Sequence, residues 1–340
     1  MTPPSRSRAT GRVTLADVAK EAGVSPITVS RALRGERGVA TELVTRVQAA
    51  AKKMHYVPDP AARALASRHS HHVAILIPLL SNALFVDLLD AVQSGMRAAG
   101  YQTLIGITRY DPDEEEQLLR EQLVHRPAGL IVTGLDRNPQ TRELIAQTGI
   151  PCVHVMDLCE TPGVYSVGLS QFDAGAAITR HFLGRGRRRI VFAGAQLDPR
   201  VMQRRDGWRR ELEAAERYED RLEWLNPAPS SLALGSRMFE EIMAADPEVD
   251  AIFFCNDDLA QGALFAAARH GVAVPGRVAV AGFNDLTGSD MTMPALTTVR
   301  TPRRAIGSSA AAMLLSLMRG ESVERSKLDL GFELVLRDSA

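Results

Sequence analysis

The chain has 340 residues, 45% of them hydrophobic, enough for two or three globular units with substantial cores, which excludes a disordered tail. Its formal net charge is zero, yet residues 1–70 hold 12 Lys and Arg against 5 Asp and Glu, leaving 28 against 35 for the remainder. A basic head on an acidic body points to a polyanion met by the head alone.

Residues 1–12, MTPPSRSRATGR, carry arginines with no apolar run behind them and are expected to form a disordered tail, not a targeting segment. No later stretch has the length and apolarity of a membrane span, so a cytoplasmic protein with no membrane partner is expected. A helix-turn-helix unit is predicted over 13–58. Thr14 and Asp17 have capping-box spacing, and Leu15, Val18, Ala19 and Ala22 share one helical face that ends near Gly23. Ser25 is a natural cap for a second helix, with Pro26 in its first turn, where no N–H is required. Val29, Ala32 and Leu33 then face inward, while Ile27, Thr28, Ser30, Arg31 and Arg34 face out. A third amphipathic segment, from about Thr41 to His55, closes the small core. In this arrangement the second helix enters a major groove, where Arg31 can read guanine O6 and N7 with two hydrogen bonds. Thr14, Ser25, Pro26 and Tyr56 complete the expected DNA-contacting set.

Residues 59–70 begin with Asp59 and Pro60, a cap and first turn for a helix of about seven residues, too short to be stable alone. The order VTLADVAKEAGVSPITVSRALRG, then YVPDPAARALAS, resembles the lactose/galactose repressor family of bacterial regulators. The resemblance implies a hinge helix that folds on operator DNA, with Leu65 as a minor-groove wedge and Ala62 beside it; unstacking a base step is offset by the extra surface a bent duplex contacts. The head departs from the family pattern at Arg34, commonly Asn, at Ala40, commonly a serine cap, and at Leu43-Val44, commonly Thr-Arg.

From Val73 on, short apolar strands alternate with longer helices. VAILIP, YQTLIGITR, GLIVTG and PCVHVM form one parallel series, and YSVGLS, RIVFAGA, AIFFCN and VAVAGF a second, which predicts an α/β body with two doubly wound halves over 71–340. The resemblance covers essentially the whole chain and implies a type-I periplasmic-binding-protein-like body, with crossovers near 170, 298 and 328 and an effector in the cleft between the halves. Cys152, Cys159 and Cys255 show no CxxC pair and no zinc spacing, so idle reduced thiols, no metal and no cofactor are expected. No GxGxxG follows the first strand, and neither GxxxxGK[ST] nor GxSxG occurs, so catalysis is not expected.

The expected effector residues stand after strand ends: Phe85 as an apolar lid, Asp157, Arg200, Arg204, Asn256 and Asn284, with Gln171, Asp257 and Arg205 nearby. Arg204 occupies the family's effector-binding arginine position, and arginine grips a planar carboxylate with two parallel hydrogen bonds. Asn256 matches a hydroxyl-binding asparagine, and Asn284 stands where many members have aspartate. The body is most similar to gluconate-operon repressors, through GYQT, DPDEEEQLLREQL, AGAQLD and LDLGFELVL. This implies a homodimeric repressor on palindromic operator DNA, released by gluconate or a related sugar acid. A regulator answering to a neutral sugar, a phosphorylated sugar or a nucleobase is the alternative, and a non-regulatory sugar-binding receptor is the alternative of another class.

Overall fold

The computed structural model describes residues 13–33, 35, 38–57, 70–80 and 83–340, and the chain divides into two units, 1–70 and 71–340. Arg34 and residues 59–69 of the expected hinge, Ala62 and Leu65 among them, lie outside the described residues.

The first unit contains α1 (Leu15–Ala22), α2 (Pro26–Leu33) and α3 (Thr41–Lys53). Thr14 and Asp17 form a reciprocal capping box, with Thr14 N donating to Asp17 Oδ2 at 2.8 Å and Asp17 N to Thr14 Oγ1 at 3.3 Å. Gly23, at φ 63°, ends α1 in the left-handed conformation that glycine adopts without a Cβ penalty. Ser25 Oγ accepts from Thr28 N at 3.2 Å, whereas α3 starts at Thr41 without a side-chain cap at Ala40. Val18, Ala19, Val29, Ala32, Val47 and Ala50 are buried in one small core.

The second unit holds two parallel sheets. The strands are β1 (His72–Ile77), β2 (Gln102–Ile107), β3 (Gly129–Thr133), β4 (Cys152–Val155), β5 (Tyr165–Gly168), β6 (Ile190–Ala195), β7 (Glu223–Asn226), β8 (Ala251–Phe254), β9 (Ala279–Ala281), β10 (Thr298–Arg300), β11 (Lys327–Asp329) and β12 (Glu333–Val335). The first sheet runs β11-β5-β4-β3-β1-β2, the second β7-β6-β8-β9, and β10 and β12 form an antiparallel ribbon. Central strands β3, β6 and β8 are buried along their whole length, which is why they read as continuous apolar runs without alternation.

The intervening helices are α4 (Ala83–Ala98), α5 (Pro112–Val124), α6 (Pro139–Thr148), α7 (Gln171–Gly184), α8 (Pro199–Ala214), α9 (Leu232–Ala245), α10 (Asp257–His270) and α11 (Arg303–Met318). After β5 the chain leaves the first sheet, and α7 packs on α8 beside the second. After β10 it returns, with α11 against α4, and it crosses again between β11 and β12. LDLGFELVL therefore spans two strands. Gly331, at φ 65°, turns the chain between β11 in the first sheet and β12 in the ribbon.

Reciprocal glycines set the helix spacing beside the second sheet. A Cβ on Gly207 of α8 would overlap the carbonyl oxygen of Phe172 on α7, and one on Gly175 of α7 would overlap that of Arg204 on α8. Backbone has little room to yield, so Gly207→Ala is expected to cost about 1–3 kcal/mol. A lower urea midpoint is the expected reading, and an unchanged one would show that the two backbones do not touch.

Candidate functional site

A cleft of about 240 Å³ lies between the two sheets of the body, walled by residues that follow strand ends. Leu84 and Phe85 at the start of α4, Tyr110 after β2 and Met156 after β4 come from the first sheet's side. Asp198, Arg200, Arg204, Ser230, Asn256, Asp258 and Asn284 come from the second. This is where doubly wound sheets hold ligands. Its volume lies below the ~300–1,000 Å³ common for drug-sized ligands, which favours a small molecule. Four of its wall residues, Tyr110, Met156, Gln196 and Asn284, are non-glycine residues at positive φ, a strained conformation that clusters at ligand clamps.

Arg204 is buried and firmly oriented. Its Nε donates to Gln171 Oε1 at 2.8 Å, its Nη1 to the carbonyl oxygen of Cys255 at 2.6 Å, and its guanidinium carbon stands 3.7 Å from the centre of the Phe283 ring. Gln171 is itself fixed, donating from Nε2 to Met156 O at 3.0 Å. With Nε and one Nη1 hydrogen occupied, the second Nη1 hydrogen and the Nη2 group are the donors left to a ligand. Burial lowers the Arg204 pKa, and Asp198 and Cys255 oppose the shift.

Arg200, four residues earlier on α8, is buried as well. Its Nε lies 3.2 Å from Asp198 Oδ1, and Nη1 is buried with no hydrogen-bond partner among the described residues. Burial works against its charge, but Asp198, the Tyr110 hydroxyl, Asp136 and Asp157 outweigh it and hold the pKa above the ordinary value. Burial chiefly pushes the Tyr110 hydroxyl up to about 12, so it remains a neutral donor at physiological pH.

Asn256 caps α10, its Oδ1 accepting from Leu259 N at 3.1 Å and its Nδ2 lying 2.6 Å from Ser230 Oγ. Asn284 accepts from Thr301 Oγ1 at 3.2 Å through Oδ1, which leaves its amide NH2 as a donor.

Four residues named from sequence stand outside this wall, of which Gln171 acts on it by holding Arg204. Asp157 does not line the cleft: Met156, at φ 72°, turns the backbone there, and the Asp157 carboxylate instead accepts from Leu158 N and borders a separate groove with Gln203 and Asp329. Asp257 is fully buried and its carboxylate is taken by Leu286 N, Ser289 and Thr298, while its neighbour Asp258 lines the cleft. Arg205 pairs with Asp206 and Glu223 away from the cleft. Sequence reasoning missed Tyr110, Asp198 and Ser230, and took Asp257 where its neighbour Asp258 lines the cleft. Of the three missed, only Asp198 left a signal, the Asp-Pro pair that caps α8.

On the head, Ile27 is 72% exposed, and Ser25, Pro26 and Arg31 are exposed along α2, with Thr28 and Ser30 half-buried. Thr14 is held in its cap, and Tyr56 packs against the head core. Lys53 pairs with Glu21 at 2.6 Å, an exposed bridge that leaves Lys52 and Arg46 as exposed cations on α3. Among the described residues no helix is long and apolar enough to cross a membrane, and no cluster of His, Cys, Asp and Glu is arranged to hold a metal ion.

The profile of the bacterial regulatory proteins, lacI family, matches residues 14–59, and that of the periplasmic binding protein-like domain matches 179–340. The HTH-type transcriptional regulator GntR of Pseudomonas aeruginosa is 53% identical over 333 residues, 98% of this chain and 97% of that protein. The crystal structure of transcription regulator GntR from Chromobacterium violaceum is 50% identical, with a TM-score of 0.77 over 79% of this chain and 98% of that one. A transcriptional regulator of the same family from Silicibacter pomeroyi is 33% identical, with a TM-score of 0.90 over 96% of this chain and 99% of its own.

Proposed function

Since this chain belongs to the lacI family of bacterial regulatory proteins and is a helix-turn-helix transcriptional regulator, not an enzyme, we propose that it represses genes of sugar-acid metabolism and leaves its operator when gluconate or a close relative fills the cleft. The observation that carries this reading is Arg204: a buried, preoriented guanidinium whose pKa burial lowers against the pull of Asp198. A carboxylate supplies counter-charge, and Ser230, Asn256 and Asn284 stand ready for hydroxyls. Phe85 and Leu84 close the apolar side. Similarity to regulators named GntR supports the choice of gluconate.

The protein acts as a homodimer in this reading, because one head presents a single short helix and two joined heads read a palindrome. Helix α4 contributes to the dimer face, and residues 59–70, with Leu65 as wedge, form the hinge. Calorimetry with gluconate, 2-ketogluconate, 6-phosphogluconate and glucose in parallel tests the effector class. Tight binding of glucose with none of the acids would overturn the carboxylate reading, and a nucleobase ligand would replace the effector class.

Arg31 projects from exposed α2 and is assigned base reading, whereas Lys52, on α3, is assigned phosphate contact at most. Arg31→Ala is expected to lose about 1–3 kcal/mol on the operator and relax one base position, while Lys52→Ala weakens all sequences alike. Identical base preferences for wild type and Arg31→Ala in a binding-site selection would rule this out.

A further inference from the structure

Arg303, the first residue of α11, joins two parts of the body that lie far apart in sequence. Its Nε lies 3.0 Å from Asp87 Oδ2 on α4, the helix whose first turn carries the cleft residues Leu84 and Phe85. Its Nη1 donates to the carbonyl oxygens of Asn284 at 2.7 Å and Asp285 at 3.2 Å, in the turn that follows β9 of the other sheet. One guanidinium thus holds both the turn that builds one wall of the cleft and the helix that opens the opposite wall.

That turn needs holding. Asn284 and Asp285 both have positive φ, 110° and 50°, without being glycine. The Asp285 carboxylate takes Arg300 of β10 at 2.8 Å and Arg337, beyond β12, at 2.8 Å, so β10 and the segment that follows β12 are tied to the same residue. Asp87 also receives Arg304 at 3.2 Å, and Arg304 reaches Asp90 one turn further along α4. A ligand that engages the Asn284 side chain therefore acts on a strained turn whose carbonyl oxygens are bonded, through Arg303, to α4.

We propose that Arg303 is a positioning residue that converts occupation of the cleft at Asn284 into movement of α4 through Asp87, and so carries the effector signal out of the cleft. This rests on the effector reading of the cleft given above. A static ion pair would stabilise the fold without coupling the two binding events, and the two roles separate experimentally.

Operator affinity of the full-length protein, measured with and without gluconate, gives the coupling factor. In Asp87→Asn and in Arg303→Met, each checked for folding by circular dichroism, gluconate and operator still bind separately. The coupling factor is expected to fall from the roughly 5- to 150-fold usual for allosteric proteins to within about threefold of one, and the double variant falls no further than either single one. Wild-type coupling in Asp87→Asn, or loss of gluconate binding itself in that variant, would overturn the proposal. Hydrogen exchange on the unliganded full chain provides a reading that needs no effector. Asp87→Asn is expected to speed exchange at the amides of Asn284 and Leu286, across the cleft from the substitution. Faster exchange confined to the first turns of α4 would overturn the coupling. Failure of wild type to bind gluconate would sink the effector reading, while the exchange result would still decide the role of Arg303.

Discussion

Arg204→Ala is expected to abolish the gluconate response: calorimetry should show affinity reduced by about 2–5 kcal/mol, roughly 30-fold to several thousand-fold, while the protein still binds its operator without ligand. The size follows from burial. A carboxylate drawn from water into the cleft is costly unless a charged donor receives it, and the Arg204 guanidinium is already fixed by Gln171, Cys255 O and the face of Phe283, so little ordering entropy opposes the contact. The substitution leaves Gln171 Oε1 and Cys255 O short of a donor, worth about 1–3 kcal/mol for each group left unsatisfied, but it also removes a buried cation that burial already disfavours. Operator binding by the variant separates a repressor deaf to its effector from an unfolded one. Because linkage is reciprocal, operator DNA must lower wild-type gluconate affinity by the factor that gluconate takes from operator affinity, and at gluconate levels that just saturate wild type Arg204→Ala shows neither effect because it stays largely unliganded. Glucose bound equally well by wild type and variant would show that Arg204 reads no carboxylate.

The strands that build the cleft were legible because their surroundings are simple. VAILIP, GLIVTG, RIVFAGA and AIFFCN are apolar over most of their length because sheet neighbours and helices cover both faces. Elements with little burial left no such pattern. The edge strand β7, reading EWLN, is only partly covered, and α6 buries only Thr141 along its length, so neither was read from sequence. The ribbon strands β10 and β12 have three residues each and pair across about 35 positions of chain, beyond the reach of local periodicity.

Inside the site the limit was backbone direction. Position after a strand end was enough to bring Arg200, Arg204, Asn256 and Asn284 into the wall. It could not choose between Met156 and Asp157, or between Asp257 and Asp258, because one residue of rotation exchanges wall for interior. Met156 at φ 72° makes the first choice. The first turn of α10 makes the second, pointing Asp257 at the donors of the 286–298 segment and leaving Asp258 on the cleft side. Tyr110 comes from a loop with two consecutive left-handed residues, Arg109 and Tyr110, a conformation with no sequence signature where glycine is absent.

Asp257 yields the other large effect. Its Oδ2 accepts from Leu286 N at 2.6 Å and Ser289 Oγ at 3.1 Å, and its Oδ1 from Thr298 Oγ1 at 2.6 Å. Removing the acceptor orphans all three donors, at about 1–3 kcal/mol each, so Asp257→Ala is expected to lose several kcal/mol in urea denaturation. Asp257→Asn is different. An asparagine oxygen in the place of Oδ2 keeps Leu286 N and Ser289, and its NH2 in the place of Oδ1 donates to Thr298, whose hydroxyl turns from donor to acceptor. Burial pushes the Asp257 carboxyl up to about 6 from its ordinary 3.8, against the opposing pull of these three hydrogen bonds. The folded state thus holds the proton more tightly than the unfolded chain, and the stability this group contributes is complete below about pH 4 and lost as pH rises through 6. Between pH 5 and 7 wild type is expected to lose roughly 1 kcal/mol that Asp257→Asn does not, with all other titrating groups cancelling in the difference. Parallel pH dependence in the two proteins would place the Asp257 pKa near its ordinary value. Since the asparagine still anchors Leu286, which follows the strained Asn284–Asp285 turn, and Thr298 of β10, its gluconate affinity should match wild type at pH 7, whereas Asp257→Ala releases the turn and loses effector binding along with stability.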